Sequence, residues 1–339
     1  MPDTFQVSGI RLQVSGFEVG HDLPLTPETW NLIPEMSRLN ADLALLLAAA
    51  VWGVAFLFQK AAMDHVGPLA FIAARGTVAA VALAPLAWRE HRHASTAPAA
   101  PGFWAVATWG GVAFFIASWL QQAGIRTATV TSTSFLTALY VVLTPFVAWA
   151  WSGKIPSLMV WPAIALSAIG TWLLGGGTLD AFSFGEGLVA VSALFWAIHV
   201  VITGRAAPFG RPIGFTAVQF AVVAVLAAVG SALTESATLG SFAGAAPDIL
   251  YVGLLSSALT FTLLTVALQY TPPSEAAVIV SMETVFAALA AYLMLGERLP
   301  AIGWLGAALI LGAILLLQVG PAIGARLGRA RAAPRRRVR

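Results

Sequence analysis

Glu283 lies near the middle of SEAAVIVSMETVFAALAAYLMLGERLP, a mainly apolar run from Ser274 to Pro300 long enough to cross a bilayer. A carboxylate at the centre of a spanning helix costs about 2.5 to 3.5 kcal/mol on insertion scales, so it normally faces a protein interior or a water-filled cavity. Three readings stay open for Glu283: a partner for a substrate amine, a proton-coupling group, or a structural acid bonded to a neighbouring helix. Trp52 and Phe56 are four residues apart, and Trp196 and His199 three apart, so each pair shares one helix face. The two faces are candidates to line a cavity with aromatic surface suited to a planar or apolar substrate; the plain alternative is packing or lipid contact. His199 is either a proton carrier, since imidazole titrates near neutral pH, or a hydrogen-bonded packing residue. Gln122 and Tyr140 are the candidate neutral cavity contacts, with Gln219 a weaker one. Arg75 either snorkels to the outer surface or binds a substrate carboxylate.

Composition dictates the elements that position these groups. Of 339 residues, 59% are hydrophobic and 10% charged, and the mean hydropathy is +0.84. Apolar runs are continuous rather than alternating, which predicts membrane-spanning helices and not a barrel. No cysteine is present, so no disulfide framework or thiol chemistry is available. Neither a phosphate-cradling Gly-Lys-Ser/Thr loop nor a paired-His metal motif occurs, so no cofactor or metal is expected, and any driving force must be a gradient.

Ten spans are predicted, at about 41 to 61, 67 to 88, 103 to 123, 130 to 151, 157 to 176, 185 to 204, 212 to 233, 247 to 268, 274 to 295 and 301 to 319. The fold class is therefore all-α, a membrane protein of ten helices. Residues 1–36 read as a disordered or non-native extension, with Met36 resembling a natural start, and residues 320–339 as a basic cytoplasmic tail. Arg38, Arg89, Arg92, Lys154, Arg205, Arg211 and the Arg-rich tail fall on one side, against Lys60, Arg126 and Arg298 on the other. The positive-inside rule then places both termini in the cytoplasm and accounts for the basic residues without a nucleic-acid partner.

Offset by about 144 positions, the halves 37–177 and 178–319 align: Asp42 with Glu186, Trp52 with Trp196, Thr127 with Thr271 and, after a one-residue slip, Gly153 with Gly296 and Tyr140 with Glu283. Five spans per half is odd, so the second half enters from the opposite side. Inverted repeats of this kind are typical of secondary transporters, whose site lies at the midplane between repeats.

AAAVWGVAFLFQKAA, FIAARGTVAAVAL and SMETVFAALAAYLMLGERLP resemble EamA-type permeases of the drug/metabolite transporter superfamily. Glu283, Val285, Gly296, Glu297 and Arg298 match that family's pattern, while Thr284 stands where the family usually has Pro, which predicts a straighter ninth span. The resemblance implies two five-helix repeats in a bacterial inner membrane, acting on small-molecule metabolites such as amino acids, most often by export. The expected partners are that metabolite and membrane lipid. A membrane-embedded enzyme using Glu283 and His199 as acid and base, or a passive facilitator, are the competing expectations.

Overall fold

The computed structural model describes residues 36–93, 102–158, 160–174, 183–296, 298 and 301–332. Most of the expected N-terminal extension and the last seven residues of the tail lie outside them. All regular structure among the described residues is helical, as hydrocarbon requires of a backbone that must satisfy its own N–H and C=O groups. The first half comprises α1 (Arg38–Ala62), α2 (Pro68–His93), α3 (Phe103–Ile125), α4 (Val130–Thr137), α5 (Tyr140–Ser152) and α6 (Val160–Leu174). The second comprises α7 (Phe184–Ala206), α8 (Pro212–Thr234), α9 (Leu239–Gly244), α10 (Ala246–Leu250), a π-helical stretch (Tyr251–Leu259), α11 (Thr260–Ala267), α12 (Pro273–Val280), α13 (Met282–Leu295) and α14 (Ala301–Ala332).

Taking α4 with α5, α10 with α11 and α12 with α13, eight of these stretches are long and apolar enough to cross a membrane. The chain is a multi-pass membrane protein. The remaining two expected spans are shorter apolar helices, Val160–Leu173 and Ala301–Leu317, although α14 itself continues to Ala332 through part of the basic stretch.

In the ninth span the regular helix lapses for one residue at Ser281, which stays in the right-handed helical region, although no proline is there. Hydroxyls do the work a proline would. Ser281 donates to the carbonyl of Val278 at 2.6 Å, and Thr284 donates to the carbonyl of Ser281 at 2.9 Å, so the local turn is tightened by side chains that compete for backbone oxygens. Ser167 of α6 bonds the Ser281 hydroxyl at 2.9 Å and fixes the break against a neighbour. The fourth span breaks at the corresponding place, between Thr137 and Tyr140.

Packing relates the halves. Helix α2 lies on α8, α6 on α14, α3 on α7 and α1 on α11, while α1 also meets α13 and α7 meets α4 and α5. Exchanging each helix for its counterpart in the other half maps this set onto itself. Counterparts α2 and α8 run antiparallel, since Gly67 lies against Glu235, Gly76 against Ala224 and Glu90 against Gly214. Their ends are tied reciprocally. Glu235, following α8, accepts from the N–H groups of Leu69 and Ala70 at 2.9 and 2.7 Å, and Glu90, ending α2, accepts from Ile213 and Gly214 at 3.2 and 2.7 Å. Each carboxylate thus satisfies orphan donors in the first turn of the other helix and sits at its positive end. Glu235→Gln is expected to cost about 1 kcal/mol, read as a lower unfolding temperature of the purified protein in detergent; an unchanged temperature would show that water replaces the clamp without loss.

Small residues set the closest helix approaches. A Cβ on Gly53, Gly111 or Gly170 would come within 2.6 to 2.7 Å of a neighbouring helix. At Gly312, by contrast, nothing among the described residues lies within 4 Å of a Cβ built there.

Candidate functional site

A single helix face dictates much of the site. Trp52, Phe56 and Gln59 project from α1 at i, i+4 and i+7 into one cavity. Opposite them, α7 contributes Trp196, His199 and Val200, and α11 contributes Phe261 and Leu264. The broken spans add Thr137 and Tyr140 from the α4–α5 break, and Glu283 from the start of α13. Arg75 enters from α2. Seven of the nine candidate residues therefore line one cavity: Trp52, Phe56, Arg75, Tyr140, Trp196, His199 and Glu283.

Gln122 and Gln219 are the exceptions and are corrected here: Gln219 stands behind the cavity and bonds His199. Consecutive helical residues point about 100° apart, so Gln121 faces the cavity while Gln122 turns to α1 and donates to the carbonyl of Gln59 at 2.9 Å. Arg75 also differs from the snorkelling alternative. Its side chain is buried, 4% exposed, with the guanidinium 5.8 Å from the centre of the Phe71 ring and 5.5 Å from that of Phe114. Aromatic faces attract the cation without neutralising it.

Both tryptophans have their N–H groups occupied. Trp52 Nε1 donates to the carbonyl of Ser256 at 2.8 Å, and Trp196 Nε1 to Gln121 Oε1 at 2.6 Å. Ser256 belongs to the π-helical stretch, a local widening that is frequent at functional sites because it loosens the regular carbonyl ladder. With their donors engaged, the indoles offer the cavity only apolar rings. Phe114, fully buried, packs behind this wall, with ring centres of Trp196, His199, Phe220 and Phe261 at 5.0, 5.4, 5.0 and 4.8 Å in edge-on geometry. Phe114 and Phe261 escaped the sequence reading because one Phe among 19 carries no local signal.

Against that apolar wall stand polar atoms without partners. Among the described residues three buried polar atoms of the cavity lining have no hydrogen-bond partner, Arg75 Nε, Thr137 Oγ1 and His199 Nδ1, while the Tyr140 hydroxyl and the Glu283 carboxyl interact with each other and with no other side chain. Native interiors leave few such groups, and their convergence on one cavity is the pattern of a ligand site. His199 is only half committed. Its Nε2 faces Gln219 Oε1 at 2.8 Å and is therefore the donor, which leaves Nδ1 as an acceptor. Thr203 steadies the same turn by donating to the His199 carbonyl at 2.8 Å.

Polar ties close over helix ends in both halves. At the start of α1, Arg38 pairs with Asp42 at 3.0 Å and with Glu275 of α12 at 2.5 Å, and Thr271 donates to Asp42 at 2.8 Å. At the start of α7, Ser132 of α4 donates to Glu186 at 2.5 Å, and Glu186 completes a capping box with Ser183. Asp42 and Glu186 are the aligned positions of the two halves, so these are counterpart contacts. Lys60, ending α1, donates to the carbonyls of Ile125, Arg126 and Ala128 at 2.7, 2.9 and 3.0 Å, caps the end of α3, and ties α1 to it.

Comparison with known proteins gives the same picture at the level of the whole chain. The EamA-like transporter family matches residues 39–176 and again 183–319, one match per half. An uncharacterized transporter of Archaeoglobus fulgidus is 29% identical over 291 residues, covering 84% of this chain and 87% of that protein. A solved crystal structure superposes with a TM-score of 0.69 over 86% of this chain and 99% of its own, at 18% identity, which is a likeness of fold.

Proposed function

Given that the chain belongs to the EamA-like transporter family, we propose that it is a secondary transporter that moves small organic metabolites, amino acids among them, by alternating access about the cavity between its halves. The observation that carries this reading is the gathering of unpartnered polar atoms and aromatic rings on one buried cavity wall. Amino acids with aromatic or apolar side chains fit that combination, the side chain against Trp52, Phe56, Trp196 and Phe261 and the polar groups toward Glu283, Tyr140 and Arg75.

Alternating access needs two gates that exchange roles. The exchange symmetry of the packing and the antiparallel run of α2 and α8 support ten spans in two inverted repeats, in which the Arg38–Glu275 and Ser132–Glu186 ties lie at opposite ends of the cavity. With the termini in the cytoplasm of a bacterial inner membrane, the first of these is the inner gate and the second the outer, and export follows from binding at the inner side.

Reconstituted protein tests the proposal directly. Proteoliposomes preloaded with an unlabelled amino acid are expected to accumulate the labelled one by saturable counterflow, with aromatic and large apolar side chains preferred. Flux that rises linearly with concentration and shows no counterflow would instead indicate a passive facilitator.

A further inference from the structure

The two halves share one tryptophan pair across the cavity but not their charges. Trp52 and Trp196 are counterparts and both line it. Helices α2 and α8 begin at Pro68 and Pro212, so Arg75 and Gln219, each seven residues further on, are counterparts as well. One is a buried cation whose Nε has no partner; the other is a neutral amide bonded to His199. The breaks in the fourth and ninth spans give the same contrast, with Tyr140 opening α5 and Glu283 second in α13. Both are buried, at 5% exposure each, and the Tyr140 hydroxyl faces the Glu283 carboxyl. Yet Arg75 and Glu283, although they line the same cavity, form no ion pair with each other.

A cavity with two-fold related walls accepts an elongated ligand in either of two orientations. We propose that Arg75 and Glu283 remove that degeneracy: they fix a dipolar ion in one orientation, its carboxylate toward Arg75 and its ammonium toward Glu283, and select zwitterions over singly charged analogues of the same shape. The inference rests on the reading of the cavity as the transport site. Its physical basis is that a guanidinium and a carboxylate that form no ion pair with each other are each costly to bury in the charged form. A ligand carrying both complements offsets both costs, whereas a ligand carrying one leaves the other charge buried and unpaired. The Phe71 and Phe114 rings hold the guanidinium in place without supplying a counter-charge. Trp52 and Trp196, their N–H groups engaged elsewhere, discriminate shape and not charge.

Three probes with one phenyl ring separate charge from shape: L-phenylalanine, phenethylamine and 3-phenylpropionate. Uptake of each is measured in proteoliposomes of the full chain, alongside a wider panel of amino acids, sugars and organic acids. Wild type is expected to take up phenylalanine at least about tenfold faster than either analogue. Arg75→Gln, which installs the side chain of the counterpart Gln219, should bring phenethylamine level with phenylalanine, and Glu283→Gln should do the same for 3-phenylpropionate. Arg75→Lys keeps the charge and should keep the zwitterion preference, so a general folding defect at this position is told apart from loss of selectivity. The inference is overturned if both analogues match phenylalanine in wild type, if Arg75→Gln lowers all three uptakes by one factor, or if saturable flux is confined to uncharged or singly charged solutes; in each case the transporter reading stands. Absence of saturable flux for every solute in the panel would remove the transporter reading, and the inference with it.

Discussion

Phe114→Ala is expected to destabilise the protein by about 3 to 5 kcal/mol, the range for removing a fully buried aromatic ring, and to abolish substrate-dependent stabilisation. The ring is fully buried and makes edge-on contacts with Trp196, His199, Phe220 and Phe261, while its face holds the Arg75 guanidinium. In hydrocarbon there is little gain from excluding water, so the loss comes from dispersion contacts that no neighbour can replace and from the cavity left behind. The neighbouring Phe115 supplies the control. It is only partly buried and stacks on exposed Trp119, so Phe115→Ala should cost well under half as much. Thermal unfolding in detergent, with and without a transported amino acid, measures both effects. Equal losses for the two variants would mean that the aromatic cluster is not the organising core of the cavity.

Gly53→Val is expected to be as damaging for a different reason. A Cβ at Gly53 would stand 2.6 Å from the backbone oxygen of Glu283 and from Phe286 Cβ, and 2.7 Å from the backbone nitrogen of Ala287. Backbone cannot swing aside as a side chain tip can, so α1 and α13 would have to separate where Glu283 enters the cavity. Overpacking a close contact costs about 1 to 3 kcal/mol for small additions; a branched side chain against backbone should exceed about 3 kcal/mol and lower the yield of folded protein. Gly53→Ala should fall at the lower end and weaken transport through displacement of Glu283. Gly312→Ala, with no atom among the described residues within 4 Å of the added methyl, should leave stability and transport unchanged. A Gly53→Val protein with wild-type unfolding temperature would show that the two helices are not in backbone contact.

Much of this protein was legible before any coordinates. Long uninterrupted apolar runs announce membrane helices because hydrocarbon tolerates no unsatisfied backbone. The aligned positions of the halves announce a repeat, and intramembrane Arg75, His199 and Glu283 stand out because charge is costly in that setting. Helical periodicity put Trp52 and Phe56 on one face, and the structure places both on the cavity.

Tertiary structure decided what depends on rotation, partners and distance. Sequence pointed to Gln122, whereas its neighbour Gln121, about 100° away in helix rotation, is the amide on the cavity once α1 and α7 are in place. The ninth span kept its break without a proline because Ser167 on another helix holds Ser281, a contact 114 residues away in the chain. Gly53 and Gly312 look alike in sequence, yet only one meets a neighbouring backbone. The reciprocal ties of Glu90 and Glu235 likewise need α2 and α8 side by side and antiparallel. Composition and periodicity are properties of the local chain and so can be read from it; which polar atoms end without partners is a property of the packed whole, and that decided where the site is.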